Sequence, residues 1–163
     1  MSFLGIWKRG PMNKNIKRVG VFSLEDVLPN VFSKKIRYEL RNNGFSYSSQ
    51  EWSNACKKKY EVMINGNKEL IEVRMGSHRY QLFLEKGTKC VECGIEGKYF
   101  GLERGIFDNP ITYHFNLYGV DEYGQEVLIT KDHIVPRSKG GSNKTSNYQT
   151  MCSRCNLRKA DKC

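Results

Sequence analysis

The stretch KDHIVPRSKGG, residues 131–141, follows the β-branched run EVLIT and ends in two glycines. Successive side chains of a strand point to opposite faces, so a strand ending here presents the Asp132 carboxylate on one side and the His133 imidazole on the other. One of these side chains can hold a metal ion while the other handles a proton. The two glycines and the polar residues 142–146 predict a turn, after which residues 147–151 return as a second short strand.

The residues after the second strand predict a helix that carries another polar side chain. Residues 152–159 favour a helix, and Asn156 directly follows Cys155, so any contact that fixes the cysteine also fixes the amide. Asn147 stands at the start of the second strand, within reach of His133. The pattern therefore predicts a strand, a turn, a strand and a helix that bring His133, Asn147 and Asn156 together.

This order of side chains resembles the ββα-metal core of the HNH endonucleases and is most similar to the phage-encoded branch of that family. The resemblance covers about the last half of the chain, from Lys86 to Lys162, and rests on residues 87–94, 132–141, 146–152 and 155–156. It implies metal-dependent hydrolysis of DNA phosphodiester bonds to 5′-phosphate and 3′-hydroxyl ends.

The resemblance also implies a role for each polar side chain. His133 is expected to be the general base, and Asn147 is expected to orient it, either through its side chain or by fixing the loop. Asp132 and Asn156 are expected to ligate a catalytic Mg²⁺ or Mn²⁺, since both offer oxygen ligands. Many family members have a histidine at the position of Asn156, and the family uses either residue there.

Two Cys-x-x-Cys pairs supply the strongest purely chemical signal. Cys90 with Cys93, and Cys152 with Cys155, provide four thiolates, which predict a closed tetrahedral structural zinc site. Redox dithiols or ordinary buried cysteines are the alternatives. If the 163-residue chain forms two small units, neither unit is large enough to bury a large core. The binding energy of structural zinc can replace part of the missing core. Cys56 and Cys163 have no partner motif, so we expect them to be free.

The charge of the chain indicates a polyanionic partner. The formal net charge is +10 and the isoelectric point is near 9.4. Residues 1–84 carry a net charge of +8, residues 85–163 one of +2, and residues 131–163 within the latter one of +6. A solvated surface is the alternative for any single cluster. The basic side chains around the predicted site are expected to bind double-stranded DNA; they are Arg137, Lys139, Lys144, Arg154, Arg158 and Lys159.

The chain divides into three predicted parts within the α+β class. We expect a basic flexible arm over residues 1–20, a small basic α+β region over residues 21–84 and an HNH nuclease domain with its zinc site over residues 85–163. The middle region is either a DNA-binding module or a structural buttress. Its predicted elements are a short helix capped by Ser23, a helix from about Asn30 to Asn42, a strand over 45–52, a hairpin around Asn65-Gly66 and a helix over 77–86.

Two other functions compete with a nuclease that cuts ordinary DNA. One is a non-catalytic, zinc-stabilised DNA-binding protein, and the other is an HNH nuclease that acts on branched DNA or RNA. His114, in a predicted strand, is either near the active site or an ordinary surface or core histidine. The chain has no secretory signal and no apolar run of membrane-spanning length, so we expect a cytoplasmic monomer or homodimer in a bacterial or phage-infected cell.

Overall fold

The computed structural model describes residues 15–160, which fold as a mixture of helices and strands. The α+β class predicted from the sequence is therefore confirmed. Short 3₁₀ turns cover residues 28–30, 137–139 and 145–147. In chain order the main elements are β1 (Ile16–Ser23), α1 (Leu24–Val27), α2 (Lys34–Asn42), α3 (Gln50–Cys56), β2 (Lys57–Ile64), β3 (Asn67–Arg74), α4 (His78–Lys86), β4 (Gly97–Gly105), β5 (His114–Val120), β6 (Glu126–His133), β7 (Tyr148–Cys152) and α5 (Ser153–Ala160).

Five strands form one antiparallel sheet in the order β1-β4-β5-β6-β7. Strand β1 comes from the early part of the chain and pairs with β4 at one edge of this sheet. At the other edge β6 pairs with β7, opposing Asp132 to Gln149 and His133 to Tyr148. Helix α5 follows β7 directly, so the predicted order of strand, turn, strand and helix is present.

One face of the sheet packs under helix α4 and the β2–β3 hairpin. The fully buried Phe115 of β5 makes edge-on contacts with Tyr60 of the hairpin and Tyr80 of α4, and Phe83 of α4 lies against Phe100 of β4. Buried apolar residues from Val27 to Cys155 belong to one continuous core. The early and late parts of the chain therefore share a core as well as a sheet.

The opposite face of the sheet carries a buried polar cluster centred on Arg18. Its guanidinium donates to Glu103 on β4 (2.7 Å) and to Glu126 on β6 (2.6 Å). Gly101 makes room for this arrangement, because a Cβ at that position would lie 2.7 Å from Arg18 Nε. Burial and the Glu103 carboxylate together raise the pKa of Tyr118 to about 12. Breaking a buried ion pair leaves an uncompensated charge, so this cluster fastens β1, β4 and β6 to one another.

The elements of the middle region mostly agree with their predictions. Asn65 (φ 50°) and Gly66 (φ 80°) form the tight turn of the predicted hairpin, because both adopt the left-handed backbone that such a turn needs. Helix α4 ends at Gly87, which has a φ of 83°. The predicted helix from Asn30 begins later, at Lys34, because the Ser33 side chain caps it.

For the early part of the chain, one predicted element is wrong and another lies mostly outside the described residues. The strand predicted over residues 45–52 is wrong: Ser49 accepts a hydrogen bond from Trp52 N (3.1 Å) and begins helix α3. Of the predicted arm over residues 1–20, residues 1–14 lie outside the described residues, as does Cys163, while β1 begins at Ile16. Among residues 15–160 no helix is long and apolar enough to cross a membrane.

Candidate functional site

Asp132 and His133 are the last two residues of β6 and point to opposite sides of the sheet. Asp132 is buried and contacts Lys159 of α5 (Nζ to Oδ2, 2.6 Å). The His133 ring lies edge-on to Tyr148 of β7, with 4.9 Å between the ring centroids, and Tyr148 in turn lies beside His78 of α4. The alternation of the strand therefore points the two side chains in opposite directions, as the sequence predicts, but both residues lie at the end of β6 and line the same cavity.

Two donors hold one oxygen of Asp132. Lys159 Nζ (2.6 Å) and Gln149 Nε2 (2.8 Å) both donate to Oδ2, while Oδ1 has no hydrogen-bond partner within residues 15–160. Lys159 also donates to the carbonyl oxygen of His133 (2.6 Å). Because the lysine bridges both residues, it ties α5 to the end of β6 and offsets the negative charge of the carboxylate.

A loop asparagine contacts one ring nitrogen of His133. His133 Nε2 lies 3.0 Å from Asn143 Oδ1, and an amide oxygen only accepts hydrogen bonds. In the tautomer that pairs with this amide oxygen, Nε2 carries the proton and the lone pair of Nδ1 is able to accept another proton. The Tyr148 hydroxyl donates to the Asn143 carbonyl (3.0 Å) and so holds this part of the loop against β7.

Asn147 fixes the loop between β6 and β7. Its Oδ1 accepts from Val135 N (2.9 Å), and its Nδ2 donates to the carbonyl oxygens of Val135 (3.0 Å) and Ser142 (2.9 Å). Gly141 is part of this clamp, since a Cβ there would overlap the Val135 carbonyl oxygen. The sequence left two ways for Asn147 to orient His133: through its own side chain or by fixing the loop. The contacts of Asn147 are with the loop backbone, which agrees with the second way. Asn143 provides the direct contact, and sequence spacing gives no signal for it.

Asp132, His133 and Asn156 line one cavity of about 470 Å³ between the end of β6 and α5. Asn156 Nδ2 donates to Thr130 Oγ1 (3.2 Å), which leaves its amide oxygen without a hydrogen-bond partner in the described part of the chain. Asp132 and Asn156 thus each keep one oxygen without an internal partner and line the same cavity, and this donor set suits a hard cation such as Mg²⁺ or Mn²⁺. The remaining lining residues are Pro136, Arg137, Ser138, Lys159 and Ala160.

The four predicted zinc ligands come together beside β7. The Sγ atoms of Cys90, Cys93, Cys152 and Cys155 all lie within 4.8 Å of one another, and the Cys93–Cys152 pair is 3.8 Å apart. Four thiolates at the usual zinc–sulfur bond length lie about 3.8 Å from each other in a tetrahedral site, so the cluster has the right size for zinc. It joins the chain segment before β4 to the start of α5.

The local charge of the cysteine cluster is uneven. Burial and the neighbouring thiols raise the pKa of Cys155 to about 12. Burial also opposes ionisation of Cys90, but backbone N–H groups of Cys152, Cys93 and Glu92 outweigh it and lower the pKa of Cys90 to about 7. Arg158 Nη2 lies 2.9 Å from Cys155 Sγ and adds a positive charge beside the sulfurs.

The six basic residues predicted to bind DNA fall into two groups. Arg137, Lys139 and Lys144 are exposed on the loop beside the cavity and have no ion-pair partner within residues 15–160. The other three make internal contacts: Arg154 pairs with Asp121 (2.8 Å), Arg158 reaches Cys155, and Lys159 holds Asp132.

His114 does not line the cavity. It is half-buried on β5, with Nε2 3.4 Å from Asn116 Nδ2, and burial together with the charge of Arg79 lowers its pKa.

Comparison with known proteins gives one match. A family model described as HNH endonuclease matches residues 121–163, which contain β6, β7 and α5. No curated protein and no solved structure matches the chain. Over residues 121–163, about a quarter of its length, the chain is therefore similar to the HNH endonuclease family.

Proposed function

We propose that the protein is a metal-dependent HNH endonuclease that hydrolyses DNA phosphodiester bonds, and that β6, β7 and α5 form its ββα-metal core. The observation that carries the proposal is the cavity shared by Asp132, His133 and Asn156. The match of residues 121–163 to a family model described as HNH endonuclease supports a nucleic-acid substrate.

His133 is the general base in this proposal. Its Nε2 proton is held by Asn143, so Nδ1 is available to take a proton from the attacking water. An imidazole accepts a proton near neutral pH, where hydroxide is scarce. Asn147 acts on the base indirectly, because it clamps the loop that carries Asn143.

Asp132 and Asn156 would hold the catalytic Mg²⁺ or Mn²⁺. The bound ion would supply charge stabilisation for the phosphate and for the departing 3′ oxygen. Lys159 already offsets the single carboxylate of this ligand set, so the affinity for metal in the absence of substrate should be low. The negative phosphate of the substrate would complete the set, and metal and DNA are expected to bind cooperatively.

Arg137, Lys139 and Lys144 are the first candidates for contact with the phosphates of double-stranded DNA, since they are exposed beside the cavity. Arg154, Arg158 and Lys159 stay in the proposed DNA-binding set, although each already holds part of the fold. The four-cysteine cluster would bind structural zinc, which the size of the cluster supports.

The decisive experiment incubates supercoiled plasmid with the full chain, with and without Mg²⁺ or Mn²⁺. We expect metal-dependent nicking or linearisation, and ends that DNA ligase can reseal because they carry 5′-phosphate and 3′-hydroxyl groups. His133→Ala should lose at least roughly 100-fold in rate while plasmid binding persists, which is the scale of a missing general base. His114→Gln, which removes a histidine outside the cavity, is the matched control.

Two results would replace this proposal with one of its rivals. A wild-type protein that binds plasmid but never cuts it, with any divalent ion, would be the zinc-stabilised DNA-binding protein. A protein that cuts four-way junctions or RNA but leaves plasmid intact would be a nuclease of a different substrate class.

A further inference from the structure

A second pocket lies beside the candidate site, between the start of α4 and the β6 strand. It has a volume of about 280 Å³ and is lined by Ser77, His78, Arg79, Thr130 and Lys131. None of these residues lines the first cavity or belongs to the proposed catalytic, metal-binding or DNA-binding residues, and no carboxylate lines the pocket. Three of the five side chains are basic or can become so.

The cations of this pocket lack anionic partners. Neither Arg79 nor Lys131 forms an ion pair within residues 15–160. Lys131 Nζ instead lies 3.9 Å from the centre of the Tyr148 ring. Arg79 Nη2 donates a hydrogen bond to the Phe115 carbonyl oxygen (2.8 Å), while the buried Arg79 Nε has no hydrogen-bond partner in the described chain. Positive charge is thus concentrated here without internal compensation.

The positive charge of the pocket affects the pKa of His78. Burial, and then the positive charges of Lys131 on β6 and Arg37 on α2, lower its pKa, while the Tyr148 hydroxyl of β7 lies 3.4 Å from its Nδ1. Cations from α2, α4 and β6 therefore converge on one place. The amino end of α4, whose N-cap is Ser77, adds the positive end of a helix dipole.

The pocket lies on the same side of β6 as the His133 ring. Lys131 and His133 are two residues apart in the strand, and the Tyr148 ring contacts both of them as well as His78. A polynucleotide strand that places one phosphate at His133 would have this pocket on the other side of the Tyr148 ring. Its neighbouring phosphate would there meet Arg79 and Lys131, which form no ion pair within residues 15–160.

The geometry points to a phosphate-binding subsite formed by His78, Arg79 and Lys131, which holds a phosphodiester of the substrate strand next to the one that is cut. This inference rests on the proposed nuclease function and extends it by naming a second point of contact. The subsite positions the strand and takes no part in the chemical step. A free phosphate ion offers the same chemistry, so the test must separate the two sources.

The test measures binding of a short DNA duplex to the full chain without divalent metal, so that cleavage does not interfere. Lys131→Gln should weaken binding roughly tenfold and lower the slope of log affinity against log salt by about one, because one phosphate contact is lost. Lys98→Gln is the matched control: it removes the same charge from an exposed lysine paired with Glu96, and should leave the slope unchanged.

A second readout follows the imidazole of His78 by NMR titration, with its signal assigned from the His78→Gln variant. A bound phosphodiester should raise the pKa of His78 by offsetting the charges of Lys131 and Arg37, and this rise should shrink in Lys131→Gln. Inorganic phosphate at the same concentration of phosphate groups should produce a much smaller rise.

The outcomes separate the inference from the function on which it rests. If wild type binds and cuts DNA but Lys131→Gln matches Lys98→Gln in both slope and affinity, the subsite is wrong and the nuclease stands. If the pKa of His78 does not move on duplex binding, or moves equally with inorganic phosphate, the assignment to a substrate phosphodiester is overturned. If wild type binds no nucleic acid, the proposed function fails first.

Discussion

At the level of single residues, the contact between Asn143 and His133 favours the imidazole tautomer in which Nδ1 is unprotonated, the nitrogen proposed to act as the base. Asn143→Ala removes the acceptor for the Nε2 proton, so the ring loses both its orientation and its preferred tautomer. We expect cleavage to fall by roughly 10-fold or more, with most of the loss in kcat, because the chemical step depends on a positioned base.

Asn143→Asp separates this positioning role from a general structural one. A carboxylate also accepts the Nε2 proton, and its negative charge favours the charged imidazole. The acid limb of the cleavage profile should therefore move to higher pH, while folding is kept. An unshifted profile in this variant, together with full activity of Asn143→Ala, would remove Asn143 from the mechanism.

Asp132→Asn tests the proposed catalytic ion. The change removes the only formal negative charge among the proposed metal ligands, so cleavage should need at least roughly 10-fold more Mg²⁺ or Mn²⁺, or should cease. Zinc content should stay the same, because Asp132 lies outside the cysteine cluster. DNA affinity without metal should be equal or slightly higher, since a carboxylate repels phosphate. A metal titration identical to wild type would contradict the assignment.

At the level of elements, the cysteine cluster holds together the segments that build the site. Cys155 stands in the first turn of α5, one residue before Asn156, and Cys152 ends β7. Losing the cluster should therefore displace Asn156 and Lys159 from Asp132. The proposed zinc thus contributes to the catalytic cavity through the backbone, without touching it.

Cys93→Ser should remove zinc and much of the folded structure. Binding of structural zinc is worth about 10 to 16 kcal/mol in small zinc modules, which is comparable to the whole stability of a domain. Cys56→Ser is the control, because Cys56 is half-buried and lies outside the cluster. Zinc content and thermal unfolding of the two variants should differ sharply. A Cys93→Ser protein with full zinc and an unchanged Tm would contradict the four-cysteine site.

Some elements of the fold could be predicted from the sequence and others could not. The β6–turn–β7–α5 order was predictable because Asp-His, the two glycines and the second cysteine pair mark its boundaries locally. The strand predicted over 45–52 is wrong because the alternation of this segment is weak, whereas the Ser49 side chain caps a helix that begins at Gln50. The contact between Asn143 and His133 could not be predicted, since it depends on the conformation of a loop and not on sequence spacing. Kinship with the phage-encoded branch stays a prediction.

At the level of the whole molecule, the sheet crosses the boundary expected near residue 85. Strand β1 pairs with β4, and the core includes residues from both sides of that boundary. A chain that begins at residue 85 would lose β1 and helix α4 and would leave the edge of β4 unpaired. Such an edge favours pairing between molecules, so we expect this fragment to aggregate.

A chain that begins at residue 15 keeps β1 and is the matched control for that fragment. Light scattering and size-exclusion chromatography of the two purified proteins provide the measurement. A monomeric, well-folded and active fragment over residues 85–163 would show that the late part of the chain is an independent domain despite the shared sheet.

The pairing of β1 with β4 also bears on how the protein folds. Residues 16–23 pair with residues 97–105, which lie more than 70 positions later in the chain. Likewise, Cys90 and Cys93 come together with Cys152 and Cys155. Such distant pairings give the chain a high contact order, and each long loop must be closed before its contacts can repay the entropy that closure removes. The α2–α3 segment and the β2–β3 hairpin are local and can form early. The residues that line the cavity are local, within 132–160, but the distant cysteine cluster holds the start of α5, so the proposed catalytic activity should appear only after that cluster has closed.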